Sequence, residues 1–95
     1  MYARLVSFTL QPGKESVARD LAQDLVPQIR RQPGCHAVTF VGDDQSGQYR
    51  IYVLWSSQEE ADTAAGIIRP QLMAHLGGNT LEPPEMHLYP VLEYA

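Results

Sequence analysis

The side chains of this chain that could do chemistry are few and scattered. His36, His75 and His87 are its three histidines, the groups whose ordinary titration lies nearest neutrality. His75 is the best single candidate for a base or hydrogen-bond donor; its plainer reading is a surface residue on a short helix. His36 and His87 fall in strand-like stretches, where a partly exposed polar neighbour is the simpler explanation. With no Glu-x-x-His or His-x-His spacing, the three do not make a metal site. Cys35, the only cysteine, reads as a small buried hydrophobe rather than a nucleophile. Trp55, Tyr49 and Tyr52 have the shape to stack an aromatic ligand, although large aromatics in a strand usually serve a core or an interface. Arg4 and Arg50 interrupt apolar strands, so each should pair with a carboxylate such as Glu85 or Glu93 across an interface, or hold an anionic ligand. There is no Gly-rich phosphate loop, Cys-x-x-Cys pair or Gly-x-Ser-x-Gly elbow, which sets nucleotide-dependent and serine-hydrolase chemistry aside.

The elements that must position these groups follow from hydrophobic period. Tyr2 to Leu10 alternates as a strand, with Arg4, Val6, Phe8 and Leu10 on one side and Ala3, Leu5, Ser7 and Thr9 on the other. From Lys14 the period changes to that of a helix, Val17, Leu21, Leu25 and Ile29 forming its apolar stripe. Pro27 predicts a kink or an early end in this helix, and Pro33-Gly34 closes it. A β-hairpin follows, Cys35 to Gly42 and Gln48 to Ser56 around Asp43-Asp44-Gln45-Ser46-Gly47. In its first arm Val38 and Phe40 are expected to oppose Cys35, Ala37 and Val41. Ser56-Ser57 before Glu59-Glu60 predicts the capped start of a second helix carrying Ala61, Ala64, Ala65 and Ile68. Gly66 weakens that helix, and Pro70 predicts a separate helical turn holding Leu72, Met73, His75 and Leu76. Glu85 to Tyr94 reads as a last strand that Pro90 confines to a sheet edge or a bulge.

The order β-α-β-β-α-β is the ferredoxin-like α+β pattern, an antiparallel sheet with both helices on one face. Right-handed crossovers place the first and third strands centrally and the second and fourth at the edges. Neither arm of the hairpin has a polar face, so both sides of the sheet need a cover. The helices supply one cover, and no segment is left for the other. The expected closure is a homodimer in which two such sheets pack face to face.

Composition bounds the rest. Ninety-five residues, 44% hydrophobic and 19% charged, make one globular domain over residues 1–95. A net charge of −4 argues against a nucleic-acid footprint. No apolar run approaches a bilayer span, and the chain opens directly into a strand pattern, so neither an anchor nor a signal peptide is expected. One cysteine excludes an intrachain disulfide and fits a reducing, cytoplasmic setting.

Three stretches carry a family resemblance: Gln11-Pro12-Gly13-Lys14-Glu15, Gln32-Pro33-Gly34-Cys35, and Tyr52 through Trp55 into Ser56-Ser57-Gln58-Glu59-Glu60-Ala61. With them the chain resembles the antibiotic biosynthesis monooxygenases, small dimeric α+β barrel proteins, over roughly Tyr2 to Leu76. Some members oxidise electron-rich polycyclic phenols with oxygen directly, in a cleft between sheet and helices; others degrade heme. The resemblance implies a cofactor-independent monooxygenase-like protein acting on an aromatic or polyketide-like metabolite, with no cofactor or metal. Val6, Phe8, Trp55 and Leu72 are its expected cleft lining and His75 its catalytic candidate. Val6 and Ala64 stand where heme-degrading members place an asparagine and a tryptophan, which disfavours heme degradation, although His75 lies within a residue of their heme ligand. The histidine often seen in the second helix of other members is replaced by small residues around Ala64 and Ala65. The alternative is a non-catalytic dimeric barrel that binds a small hydrophobic ligand or serves a stress or regulatory role.

Overall fold

The computed structural model describes all 95 residues, Met1–Ala95. Its elements are β1 (Tyr2–Thr9), α1 (Glu15–Arg30), β2 (Cys35–Asp43), β3 (Gln48–Trp55), α2 (Gln58–Leu76) and β4 (Glu85–Pro90). All strand pairs are antiparallel and the sheet order is β2-β3-β1-β4. The fold is therefore the expected ferredoxin-like α+β, with β1 and β3 central and the proline-bearing β4 at an edge.

The core lies between one sheet face and the two helices. Val6, Phe8 and Leu10 from β1 and its extension meet Tyr49, Ile51, Val53 and Trp55 from β3, all buried. Above them α1 sets Ala18, Leu21, Leu25 and Ile29, and α2 sets Ala61, Ala64, Ile68, Leu72 and Leu76. Ser57 caps α2, its hydroxyl accepting from the Glu60 amide at 3.2 Å and donating to Glu60 Oε1 at 3.0 Å. Gly34 holds a positive φ of 83°, and a Cβ there would stand 2.3 Å from the Glu60 side chain. The turn before β2 thus packs directly on the start of α2, and Ser56 N donates to Gly34 O at 2.8 Å.

One open alternative is decided and three expectations need correction. Helix α1 does not end early at Pro27; it runs on to Arg30, because Ile29 is buried at 4% exposure and the Arg31 amide bonds back to the Pro27 carbonyl. Helix α2 is continuous through Pro70 rather than broken into a separate turn. Leu72 and Leu76 continue the stripe of Ala64 and Ile68 at four-residue spacing, and their burial outweighs one missing hydrogen bond. The carbonyl that Pro70 cannot serve belongs to Gly66, which is exposed to solvent. Cys35 shares the helix-facing side with Val38 and Phe40 instead of opposing them. A bulge between Cys35 and Ala37 adds one residue, so Cys35 pairs with Trp55 and the alternation reverses at that point. Strand β4 stops at Pro90, four residues short of Tyr94; the last bond on that side runs from Val91 N to Met1 O.

The other sheet face carries Leu5, Leu54, Tyr52, Val41 and Tyr89 with no element of this chain over it. Tyr52, Val41 and Tyr89 are 37%, 42% and 51% exposed. Arg50 stands on this uncovered face and makes no ion pair within the one chain. Arg4 does pair, with Asp62 of α2 rather than with a glutamate of the last strand.

Candidate functional site

The interface between sheet and helices is filled at one end and open at the other. At the filled end Phe8, Phe40 and Tyr49 form an aromatic cluster, with ring centroids 5.7–6.2 Å apart. Gly42 allows this: it lies opposite Tyr49, and a Cβ there would come within 2.1 Å of the ring. The Tyr49 hydroxyl donates to Asp44 Oδ1 at 2.6 Å, and Asp44 in turn pairs with Arg19 of α1. Burial of Tyr49, and then the Asp44 bond, push its phenol up to about 12. The same bond, with Arg19, holds the Asp44 carboxyl below its ordinary range.

The open end exists because α2 presents alanines there. Ala61, Ala64 and Ala65 face Val6, Ile51, Val53 and Trp55 across a cleft that Leu25 and Ile29 of α1 and Ile68, Leu72 and Met86 complete. Twelve of its fourteen lining residues are hydrophobic, and the exceptions are Arg4 and Arg69. Its open space is about 520 Å³ with the mouth included, and the enclosed cavity within it is about 50 Å³. That cavity has room for a few waters, so a bicyclic occupant requires the helices to part or the mouth to take part of it.

Trp55 is 3% exposed, and its indole Nε1–H is the one buried side-chain polar atom without a hydrogen-bond partner. An unmatched donor of this kind costs about 1–3 kcal/mol until an acceptor arrives. Arg4 reaches the cleft because it alternates with Val6 and Phe8 on the helix-facing side of β1. Its side chain is 16% exposed, and its only hydrogen bond goes to Asp62 Oδ1 at 3.2 Å. Arg69 sits beside it and makes no ion pair.

Of the residues expected to line a site, Val6, Trp55 and Leu72 meet in this cleft. Phe8 does not; it belongs to the aromatic cluster at the filled end. His75 also lies outside the cleft: Nε2 bonds Asp24 Oδ2 at 2.8 Å, tying the end of α2 to α1. That bond is the main reason the Asp24 carboxyl titrates below its ordinary value. The one-turn continuity of α2 through Pro70 is what turns His75 toward α1 while Leu72 faces the sheet. His36 bonds the Ser56 hydroxyl at 2.6 Å, and His87 lies 3.7 Å from Glu85 on the outer edge. No three His, Cys, Asp or Glu side chains gather as a metal-binding group. Sequence reasoning missed Arg69 altogether. Its only signal was the helical spacing Ala65–Arg69, visible once α2 is continuous through Pro70.

Comparison with known proteins agrees with this architecture. No curated protein matches the chain significantly. Rv0793 of Mycobacterium tuberculosis superposes with a TM-score of 0.85 at 19% identity, over 99% of this chain and 97% of that one. A Nitrosomonas europaea protein provisionally named an antibiotic biosynthesis monooxygenase gives 0.85 at 16% identity, over 98% and 100% of the two chains. One from Bordetella bronchiseptica, named in the same provisional way, gives 0.75 at 21%, over 97% of each. At these identities the likeness establishes the fold alone. The family model described as antibiotic biosynthesis monooxygenase matches residues 1–65, more than half of the sequence, and the chain belongs to that family.

Proposed function

We propose that this protein is a small homodimeric, monooxygenase-like protein that takes an aromatic or polyketide-like metabolite into the cleft between sheet and helices. The observation that carries the reading is the alanine-lined opening over Trp55, an apolar slot whose indole donor has no partner within the protein. The reaction in keeping with such a slot is oxidation of an activated methylene to a carbonyl. One atom of O2 stays on the carbon, the other leaves as water, and the substrate supplies all four electrons. The protein then contributes a dry enclosure and a hydrogen bond that holds the substrate. Val6, Trp55 and Leu72 are the lining we assign to it. The uncovered sheet face, with Leu5, Tyr52 and Leu54, is the surface we assign to the dimer, and the single Cys35 is in keeping with a reducing cytoplasm.

A second reading is a non-catalytic barrel that binds the same kind of ligand. It is favoured by the position of His75 on Asp24, which leaves the cleft without a base. Oxygen uptake with anthrone-type and quinol substrates separates the two. Uptake that is lost in Ala64→Trp, which blocks the slot, and kept in His75→Ala supports the cleft oxygenase. Saturable binding without uptake leaves the binding protein, and neither binding nor uptake across the panel defeats both.

A further inference from the structure

The cleft mouth carries a charge pattern that the apolar interior does not account for. Arg4, Ala65 and Arg69 line both the cleft and the shallow depression outside it, so the two guanidinium groups stand where interior meets solvent. The one acid in that depression is Asp62, which is 59% exposed and holds a single nitrogen of Arg4. Two cations against one carboxylate leave the mouth with one net positive charge, on a chain whose net charge is −4. Arg4 is costly to hold at 16% exposure with one hydrogen bond out of the five its guanidinium is able to donate. An apolar slot alone needs neither arginine.

The interior offers the complementary feature. Arg4 is the register partner of Val53, and Trp55 lies two residues further along β3 on the same face, about 7 Å away along the strand. Trp55, which carries the buried, unpartnered Nε1–H, lines the same slot as the cationic mouth.

We infer that the ligand is an amphipathic monoanion: an apolar, ring-sized body whose inner oxygen accepts from Trp55 Nε1 and whose carboxylate sits at the mouth against Arg4 and Arg69. This rests on the cleft reading above and narrows it to acidic metabolites. A carboxylate there receives the guanidinium donors that Asp62 leaves free, with the geometry that suits paired oxygens. The positive mouth also draws anions toward a chain that otherwise repels them.

The chain has one tryptophan, so its indole N–H is a single resolved signal in a proton–nitrogen correlation spectrum. We would titrate the intact protein with 6-hydroxy-2-naphthoate, with its methyl ester, and with 2-naphthoate, following that signal. The expected result is saturable movement of the indole signal by 6-hydroxy-2-naphthoate, about tenfold tighter than by the ester, as one charge-assisted contact implies. Arg69→Glu, at an exposed position, should close most of that gap without disturbing the fold; Arg4→Gln should do the same. The 2-naphthoate, lacking the inner oxygen, should bind with a smaller indole shift. Equal binding of acid and ester, unaffected by Arg69→Glu, would overturn the anionic assignment and leave the cleft reading standing. An indole signal unmoved by all three compounds would overturn the cleft reading and this inference together.

Discussion

The Tyr49 phenol gives the most direct test of how the filled end of the interface is built. In the folded chain it titrates near 12, against about 10 in an unfolded one. Between those values the folded state keeps a proton that the unfolded state releases, so stability is intact below pH 10 and falls as pH rises toward 12. Two units correspond to at most about 2.7 kcal/mol. The Asp44 side chain that accepts the hydroxyl is 42% exposed, and water screening there brings the expected loss to about 1.5–2 kcal/mol. The assay is urea unfolding at intervals from pH 8 to 12 for the wild type and Tyr49→Phe. Phenylalanine keeps the ring stack with Phe8 and deletes only the hydroxyl. Subtracting the two pH profiles cancels every other titrating group. The wild type should lose its advantage progressively above pH 10, by roughly 1 M in urea midpoint at an m-value of about 1.5 kcal/mol/M. Parallel profiles for the two proteins would refute the reasoning, since they would mean that the hydroxyl is no better held in the folded chain than in the unfolded one.

Three other outcomes are expected. Leu54→Glu or Tyr52→Glu on the uncovered sheet face should convert the proposed dimer to monomer in sedimentation velocity, and a wild type that is already monomeric, or unchanged sedimentation of both variants, would remove that face as the interface. Asp24 and Asp44 both titrate below their ordinary 3.8, so the stability they give is present above that pH and lost as pH falls through their lowered folded values. Asp24→Asn with Asp44→Asn should flatten acid unfolding in this window, and an unaltered acid transition would show that other carboxylates carry it. Gly42→Ala should cost about 1–3 kcal/mol in chemical unfolding by forcing the Tyr49 ring off Phe8, and a neutral result would mean the ring has room to move.

Much of the fold was legible because period and punctuation report it locally. The alternation of Tyr2 to Leu10 and of Gln48 to Trp55, the stripe of Val17, Leu21, Leu25 and Ile29, and the Pro-Gly turns led to the observed element order and strand order. The misreadings in α2 and β2 were places where a local rule lost to burial or to pairing. Pro27 and Pro70 announce helix ends, yet Ile29, Leu72 and Leu76 each bury against the core and carry the helices past them. One extra residue at His36 reverses a strand's faces, and alternation counted from the sequence has no means of seeing it.

The candidate site divides in the same way. The residue types alone determined that this sequence carries no Gly-rich phosphate loop and no Gly-x-Ser-x-Gly elbow, and that Arg4 among apolar neighbours needed an explanation. Which residues share the cleft was decided by tertiary structure. The path of α2 through Pro70 sends Leu72 and Arg69 to the cleft and His75 to Asp24, because a continuous helix turns about 100° per residue and a broken one would not keep that phase. The opening itself comes from small side chains on α2 facing Trp55 across the interface, while bulky rings fill the other end. A cavity is a difference between two packed surfaces, and no single stretch of sequence contains both.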